Sequence, residues 1–170
     1  MTARIATWGI SAALAFAIAA CERGPADTTA PDFAFPDLDG QLVRLSELRG
    51  RTVVIDFWAT WCDPCSLQPP ELNAVFRAHA SDGKLAVLGV ETSGASVEEV
   101  REWGRENEAV AEYPVLVGAD EDLARRYGIA GFPATVVIDP EGRVDSVTLG
   151  VSTAAEIERA IAHLVDAVGG

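Results

Sequence analysis

The feature that most constrains this chain is a pair of cysteines, Cys62 and Cys65, separated by two residues. They follow an apolar, β-rich run, Thr52–Trp58, and they open a stretch with helical periodicity. In that arrangement one helical turn brings the two sulfurs within bonding distance, and the amino end of the helix stabilises a thiolate. The spacing therefore predicts a redox-active dithiol that exchanges with other disulfides.

The rest of the chain predicts alternating strands and helices. A short leading hairpin is expected around Asp39-Gly40, and the helix that begins at the cysteines is interrupted by Pro69 and Pro70, where we expect a kink before it ends near Ala80. Further strands are predicted over 84–90, 113–117, 134–138 and 144–149, and further helices over 96–107, 120–127 and 153–168. We therefore expect an α/β fold with a central mixed sheet flanked by helices.

The amino terminus predicts export. The apolar stretch Ile5–Ala20 would span roughly 24 Å as a helix, less than the roughly 30 Å of a bilayer core, which favours a cleaved signal peptide over a membrane span. The residues that end at Cys21 resemble a bacterial lipoprotein signal, in which the cysteine is lipidated; an ordinary signal peptidase site and an uncleaved anchor are the alternatives. We expect a lipoprotein signal peptide over 1–20, the lipidated Cys21 with a flexible tether over 21–31, and the folded domain over 32–170.

The net charge and the number of cysteines limit the classes of function that this chain can have. The chain has 13 basic and 26 acidic residues, which disfavours binding to nucleic acid. If Cys21 carries lipid, Cys62 and Cys65 are the only possible disulfide pair. A zinc half-site is the alternative for such a pair, but only His79 and His163 could complete it without carboxylates, so we expect no metal.

Two segments carry a family resemblance. The sequence Ile55–Cys65 resembles the active-site segment of thioredoxins, and Gly131–Thr135 resembles their cis-proline loop. The leading hairpin, the extra helical segment over 96–107 and the hairpin around 139–143 are similar to the TlpA/ResA type of extracytoplasmic thiol-disulfide oxidoreductase, which is related to the AhpC/TSA redoxins. The resemblance covers about 31–168 and implies a thioredoxin-like fold with an N-terminal β-hairpin and an extra helical insertion.

The residues and the resemblance together predict site roles. Cys62, at the exposed end of the helix, is expected to attack a substrate disulfide, and Cys65 to resolve the mixed disulfide. Asp56 lies in an apolar strand, where burial would raise its pKa and suit it to accept the proton of Cys65; the alternative places it at an exposed strand end. Trp61, Phe132 and Pro133 are expected to bind the substrate.

Two positions depart from the family pattern. The thioredoxins place a buried lysine on the strand beside the aspartate, and an ungapped alignment puts Gly89 there. ResA-like proteins resemble one another in an acidic residue three positions after the second cysteine, and here that position is Gln68. Because an amide does not transfer a proton, Asp56 is expected to do the acid-base work alone.

The direction of electron flow is predicted from the residues between the cysteines. The charge of Asp63 disfavours a neighbouring thiolate, which makes the pair a better reductant, with a potential nearer roughly −270 mV than −120 mV. We expect a monomeric periplasmic or extracytoplasmic reductase that needs no cofactor, takes electrons from a membrane thiol donor and acts on exported proteins, with apocytochromes c among them. The alternatives are an oxidant or isomerase, a non-redox binding lipoprotein, and a peroxidase, whose signature proline and threonine are replaced by Ile55 and Ala59.

Overall fold

The computed structural model describes residues 28–167, so the predicted signal peptide, Cys21 and most of the predicted tether lie outside the described residues. Two 3-10 helices, Leu45–Leu48 and Asp63–Leu67, precede β3 and α1 respectively. The other elements, in chain order, are β1 Ala34–Pro36, β2 Leu42–Arg44, β3 Thr52–Trp58, α1 Gln68–Ala78, β4 Leu85–Glu91, α2 Val97–Glu106, β5 Val115–Leu116, α3 Glu121–Arg126, β6 Ala134–Ile138, β7 Val144–Leu149 and α4 Ala154–Ala167.

The sheet is mixed, as the sequence predicts. Its strand order is β5-β4-β3-β6-β7, with β3, β4 and β5 parallel to one another. Strand β6 runs antiparallel to both β3 and β7, so the predicted hairpin near the carboxyl terminus is confirmed. Strands β1 and β2 form a separate antiparallel pair, which confirms the leading hairpin.

The sheet carries an apolar layer on each face, and β3 contributes to both. Val53, Ile55 and Phe57 pack into the layer that α3 covers. Val54 and Trp58 pack into the opposite layer, which contains both cysteines and residues of α1 and α4. Successive side chains of a strand point to opposite faces, so Asp56 belongs to the face that carries the cysteines.

The predicted kink takes a different form. The chain after the cysteines is a 3-10 helix over Asp63–Leu67 that continues as the α-helix Gln68–Ala78. Pro69 and Pro70 therefore lie in the first turn of α1 rather than in a helix interior. Proline is well tolerated in the first turn of a helix, so Pro69 and Pro70 mark the start of α1 instead of interrupting it.

The folded domain begins earlier than the sequence predicts. Thr28 accepts a hydrogen bond from the Val144 N–H at 2.7 Å, and the Ala30 N–H donates to the Gly142 carbonyl at 3.0 Å. Ala30 is also buried in the core, so the predicted tether does not extend to residue 31. Within the described range no helix is both long enough and apolar enough to cross a bilayer.

Candidate active site

The two cysteines lie at the carboxyl edge of β3, where the chain turns into the helical segment. Cys62 precedes the 3-10 helix, and the Cys65 N–H donates to the Cys62 carbonyl at 3.0 Å. Their Cα atoms are 5.4 Å apart and a disulfide joins their sulfurs. The structure therefore shows the oxidised form of a cysteine pair that exchanges two electrons.

Cys62 is less exposed than predicted. Only 4% of the residue is accessible, against 1% of Cys65, so the expectation of a freely exposed Cys62 is wrong. Both residues lie within the apolar layer on the α1 side of the sheet, and Phe132 packs against that layer from the cis-proline loop. A substrate must therefore bring its disulfide into close contact with this surface.

Asp56 is buried in the middle of the sheet, with 1% of the residue accessible. It pairs with Gly89 of β4 on one side and with Thr135 of β6 on the other, so the alternative of an exposed strand end is wrong. Its Oδ1 atom has no hydrogen-bond partner within residues 28–167. Burial raises the pKa of Asp56 to about 8, so the carboxyl group is mostly protonated at neutral pH.

Gly89 occupies the position of the family's buried lysine, and the structure fills the space around it. A Cβ atom on Gly89 would lie 3.3 Å from Cγ2 of Val115, 3.4 Å from Cε2 of Tyr113 and 3.5 Å from Nε1 of Trp58. A lysine side chain does not fit there unless these neighbours move. The charge of Asp56 therefore has no lysine partner from β4, and it contributes, after burial, to a raised pKa of Tyr113.

A cavity of about 630 Å³ reaches Asp56 from the side of α2. Its wall includes Trp58 and Tyr113 from the sheet side, together with Trp103 of α2. The rings of Trp58 and Trp103 lie 4.5 Å apart between centroids. Asp56 is part of the wall of this cavity, although only 1% of the residue is accessible.

The predicted substrate-binding residues lie together. Trp61 is 62% exposed, and its ring centroid is 5.7 Å from that of Phe132. The peptide bond between Phe132 and Pro133 is cis, the isomer that the family resemblance implies. An exposed tryptophan packed against a partly buried phenylalanine beside a disulfide offers a partner protein apolar surface at low entropic cost.

Both histidines are engaged in side-chain pairs. His79 hydrogen-bonds Asp82 at 2.8 Å and Glu158 at 3.0 Å, and His163 hydrogen-bonds Asp145 at 3.2 Å. Burial alone would lower the pKa of His79, but the two carboxylates outweigh it and raise that pKa. No cluster of three or more metal-binding side chains is present among residues 28–167.

Sequence reasoning missed the environment of Gln68. Its side chain is fully buried and hydrogen-bonds the backbone of Ser152, which lies 84 positions away in the sequence. Nothing in the local pattern around Gln68 signals that partner. The sequence marked Gln68 only as the position at which ResA-like proteins resemble one another in an acidic residue.

The fold is thioredoxin-like, with a Cys-x-x-Cys disulfide at the end of its central strand and a cis-proline loop. These features define the class of thiol-disulfide oxidoreductases. The chain belongs to the AhpC/TSA family, whose model matches residues 26–147.

Curated relatives and solved structures agree with this class. The thiol-disulfide oxidoreductase ResA of Geobacillus kaustophilus (strain HTA426) is 32% identical over 134 residues, which cover 78% of this chain and 74% of ResA. A Chlorobium tepidum structure described as a thiol:disulfide interchange protein DsbE has a TM-score of 0.71 and 29% identity, and the match covers 82% of this chain and 96% of that one. The exposed lipoprotein thioredoxin Etrx1 of Streptococcus pneumoniae strain TIGR4 has a TM-score of 0.69 and 27% identity, covering 79% and 100% respectively. The protein is a thiol-disulfide oxidoreductase of the ResA/DsbE type.

Proposed function

We propose that this protein is a membrane-tethered reductase of disulfides in exported proteins. The observation that carries the proposal is the Cys62–Cys65 disulfide, which lies on the same face of the sheet as the buried carboxyl group of Asp56. This combination supplies a nucleophile, a resolving thiol and a proton acceptor. In the reduced protein both cysteines are thiols or thiolates, and the pair can donate two electrons to a substrate disulfide.

The first step is attack by the Cys62 thiolate on one sulfur of a substrate disulfide. A bond forms between that sulfur and Cys62 Sγ, the substrate disulfide breaks, and the other substrate sulfur leaves as a thiolate. Cys62 carries this step because it precedes the 3-10 helix, whereas Cys65 lies within it. Trp61 and Phe132 provide the surface against which the polypeptide around the substrate disulfide lies.

The second step resolves the mixed disulfide. Cys65 loses its proton to the carboxylate of Asp56, and the Cys65 thiolate attacks Cys62 Sγ. The Cys62–Cys65 disulfide closes and the second substrate sulfur leaves as a thiolate. The substrate has then gained two electrons, and the proton on Asp56 exchanges with solvent through the cavity beside Trp103 and Tyr113.

The surroundings of the pair favour reduction over oxidation. The charge of Asp63, which is exposed between the two cysteines, disfavours a thiolate on its neighbour and so weakens the protein as an oxidant. A dithiol donor in the membrane would restore the reduced pair after each cycle, and no cofactor besides the cysteines is needed. Apocytochromes c awaiting haem are one class of exported protein with such a disulfide.

The tether in this proposal is the chain before the folded domain. Lipidation of Cys21 would leave residues 22–27 between the anchor and the first described residue, Thr28. Six residues reach at most about 20 Å, which would hold the domain close to the membrane surface. The similarity to a pneumococcal thioredoxin described as an exposed lipoprotein supports this arrangement.

The midpoint potential of the Cys62–Cys65 couple tests the proposed direction. We would use the mature chain, residues 21–170, with Cys21→Ser so that one thiol pair titrates, and equilibrate it with dithiothreitol or glutathione buffers. The expected midpoint is near −270 mV, the value of a disulfide reductant. A midpoint above about −180 mV, as in an isomerase, would contradict the reductase assignment.

A further inference from the structure

Gln68 makes a two-point contact with the backbone of a single residue. Its Nε2 donates to the Ser152 carbonyl at 3.0 Å, and its Oε1 accepts from the Ser152 N–H at 2.8 Å. The Gln68 residue is 0% exposed and Ser152 is also buried. Gln68 is the first residue of α1, three positions after Cys65, so this contact joins the active-site helix to the chain that follows β7.

The segment after β7 is held at two further points. The Gly150 N–H donates to the Pro133 carbonyl at 2.8 Å, which ties the segment to the cis-proline loop. The Ala154 N–H donates to Oε2 of Glu71 at 2.7 Å, which ties the start of α4 to α1. The contact between Gln68 and Ser152 lies between these two hydrogen bonds along the chain.

Four large apolar side chains are exposed along these connected segments. We call Trp61, Leu67, Leu149 and Val151 the apolar rim; their exposed fractions are 62%, 61%, 59% and 38%. Leu67 is next to Gln68 in the chain and Val151 is next to Ser152, so the paired hydrogen bonds of Gln68 join the two backbone segments that carry these side chains. The Gly150–Pro133 hydrogen bond connects the same segment to Phe132 and, through the ring contact, to Trp61. Exposed apolar residues grouped in this way indicate a surface that a partner covers.

We propose that Gln68 is a positioning residue for protein substrates: it holds the segment 150–152 against α1 so that Val151 completes the apolar rim. The occupant is an extended polypeptide with apolar side chains next to its disulfide, because the rim is apolar and adjoins the Cys62–Cys65 pair. This inference rests on the proposed reductase function. It gives Gln68 a role in binding the polypeptide and none in the sulfur chemistry.

The amide is the side chain that this contact requires. One end of it must donate to the Ser152 carbonyl while the other accepts from the Ser152 N–H. A carboxylate accepts the N–H but opposes the carbonyl with a second charged oxygen in a buried site, whereas a protonated carboxyl group satisfies both. Gln68→Glu should therefore hold the segment at low pH and release it as the pH rises.

The test compares a protein substrate with a small one. Using the mature chain with Cys21→Ser, we would measure KM and kcat for insulin reduction driven by dithiothreitol, the rate of reaction of the reduced protein with 5,5′-dithiobis(2-nitrobenzoate), and the midpoint potential. For Gln68→Leu we expect the KM for insulin to rise about fivefold to tenfold, the equivalent of losing one good apolar contact, with no shift in potential. Gln68→Glu should match the wild-type KM near pH 5 and resemble Gln68→Leu near pH 8.

A surface variant keeps the proposal testable if Gln68→Leu does not fold. Val151→Asp changes an exposed side chain and should raise the KM for insulin by a similar factor, while Leu42→Asp, at an exposed apolar residue of β2, is the matched control. The proposal is overturned if Val151→Asp leaves the insulin KM unchanged, or if Gln68→Leu changes the potential or slows the small disulfide in parallel. If the wild-type protein does not reduce insulin at all, the reductase function itself fails, and this inference falls with it.

Discussion

Replacing Cys62 by alanine should lower the turnover rate for protein disulfide reduction by about 10³-fold or more, because the attacking thiolate is lost. Cys65 does not substitute for it, since it is 1% exposed and lies one turn further into the helical segment. The measurement is insulin reduction driven by dithiothreitol, corrected for the uncatalysed reaction. Far-UV circular dichroism and thermal unfolding of the variant, compared with the reduced wild-type protein, confirm that the fold is kept.

Cys65→Ala is the matched control for this prediction. It removes a sulfur from the same disulfide but leaves the nucleophile in place, so it should lose repeated turnover while still attacking a substrate once. A Cys62→Ala variant that retains a tenth or more of the wild-type rate would show that Cys62 is not the nucleophile. Equal single-turnover behaviour of the two variants would lead to the same conclusion.

Asp56→Asn should slow the resolution of the mixed disulfide by about 10²-fold, the usual contribution of one positioned proton acceptor. Only the ionised carboxyl group accepts a proton, and burial holds its pKa at about 8. The resolution rate of the wild-type protein should therefore rise with pH and level off above about pH 8, whereas the Asn variant should lack this inflection. Stopped-flow tryptophan fluorescence would follow the step after the reduced protein is mixed with an excess of a small disulfide at each pH, so that the mixed disulfide forms fast and its resolution is the slower phase.

The same substitution should increase stability. The pKa of Asp56 is about 8 in the folded protein against its ordinary value of 3.8, so between these values the folded state binds more protons and stability falls as the pH rises. At pH 7 the accumulated cost is about 4 kcal/mol. Asparagine mimics the protonated carboxyl group at every pH, so the free energy of unfolding of Asp56→Asn should equal that of the wild type near pH 4 and exceed it by about this amount at pH 7.

Denaturant unfolding of both proteins across this pH range gives the comparison. Reduced protein should be used throughout, so that the disulfide does not contribute. If the difference between the two proteins does not change between pH 4 and pH 8, Asp56 does not titrate with a raised pKa, and its role as the proton acceptor of Cys65 loses its basis. A variant of another buried polar residue outside the site, Asn73→Ala, controls for general effects of pH on folding.

Much of this site follows from local sequence. Two cysteines at the start of a helical pattern, after an apolar strand, specify the position of the disulfide. The apolar run of β3 places Asp56 among buried residues. Because successive side chains of a strand point to opposite faces of the sheet, Asp56 lies on the face that carries the cysteines. The pairing of Asp56 with Gly89 could also be obtained by ungapped alignment, since β3 and β4 are parallel strands of equal length.

The contacts that shape the surface around the site could not be predicted in this way. Gln68 and Ser152 are 84 positions apart, and their pairing depends on how α1 packs beside the turn after β7. Phe132 packs against the apolar layer that contains the cysteines from a loop that is distant in the sequence. The domain begins as early as Thr28 because backbone groups at the β6–β7 turn hydrogen-bond this part of the chain. No local sequence pattern indicates that pairing.

Trapping of a mixed disulfide tests the central claim, that Cys62 passes electrons to protein disulfides. The reduced Cys65→Ala form of residues 21–170, with Cys21→Ser, would be mixed with insulin, alkylated and analysed by intact mass and peptide mapping. The predicted result is a covalent adduct between insulin and Cys62 that dithiothreitol releases. The absence of an adduct, or the same amount of adduct with Cys62→Ala, would contradict the account.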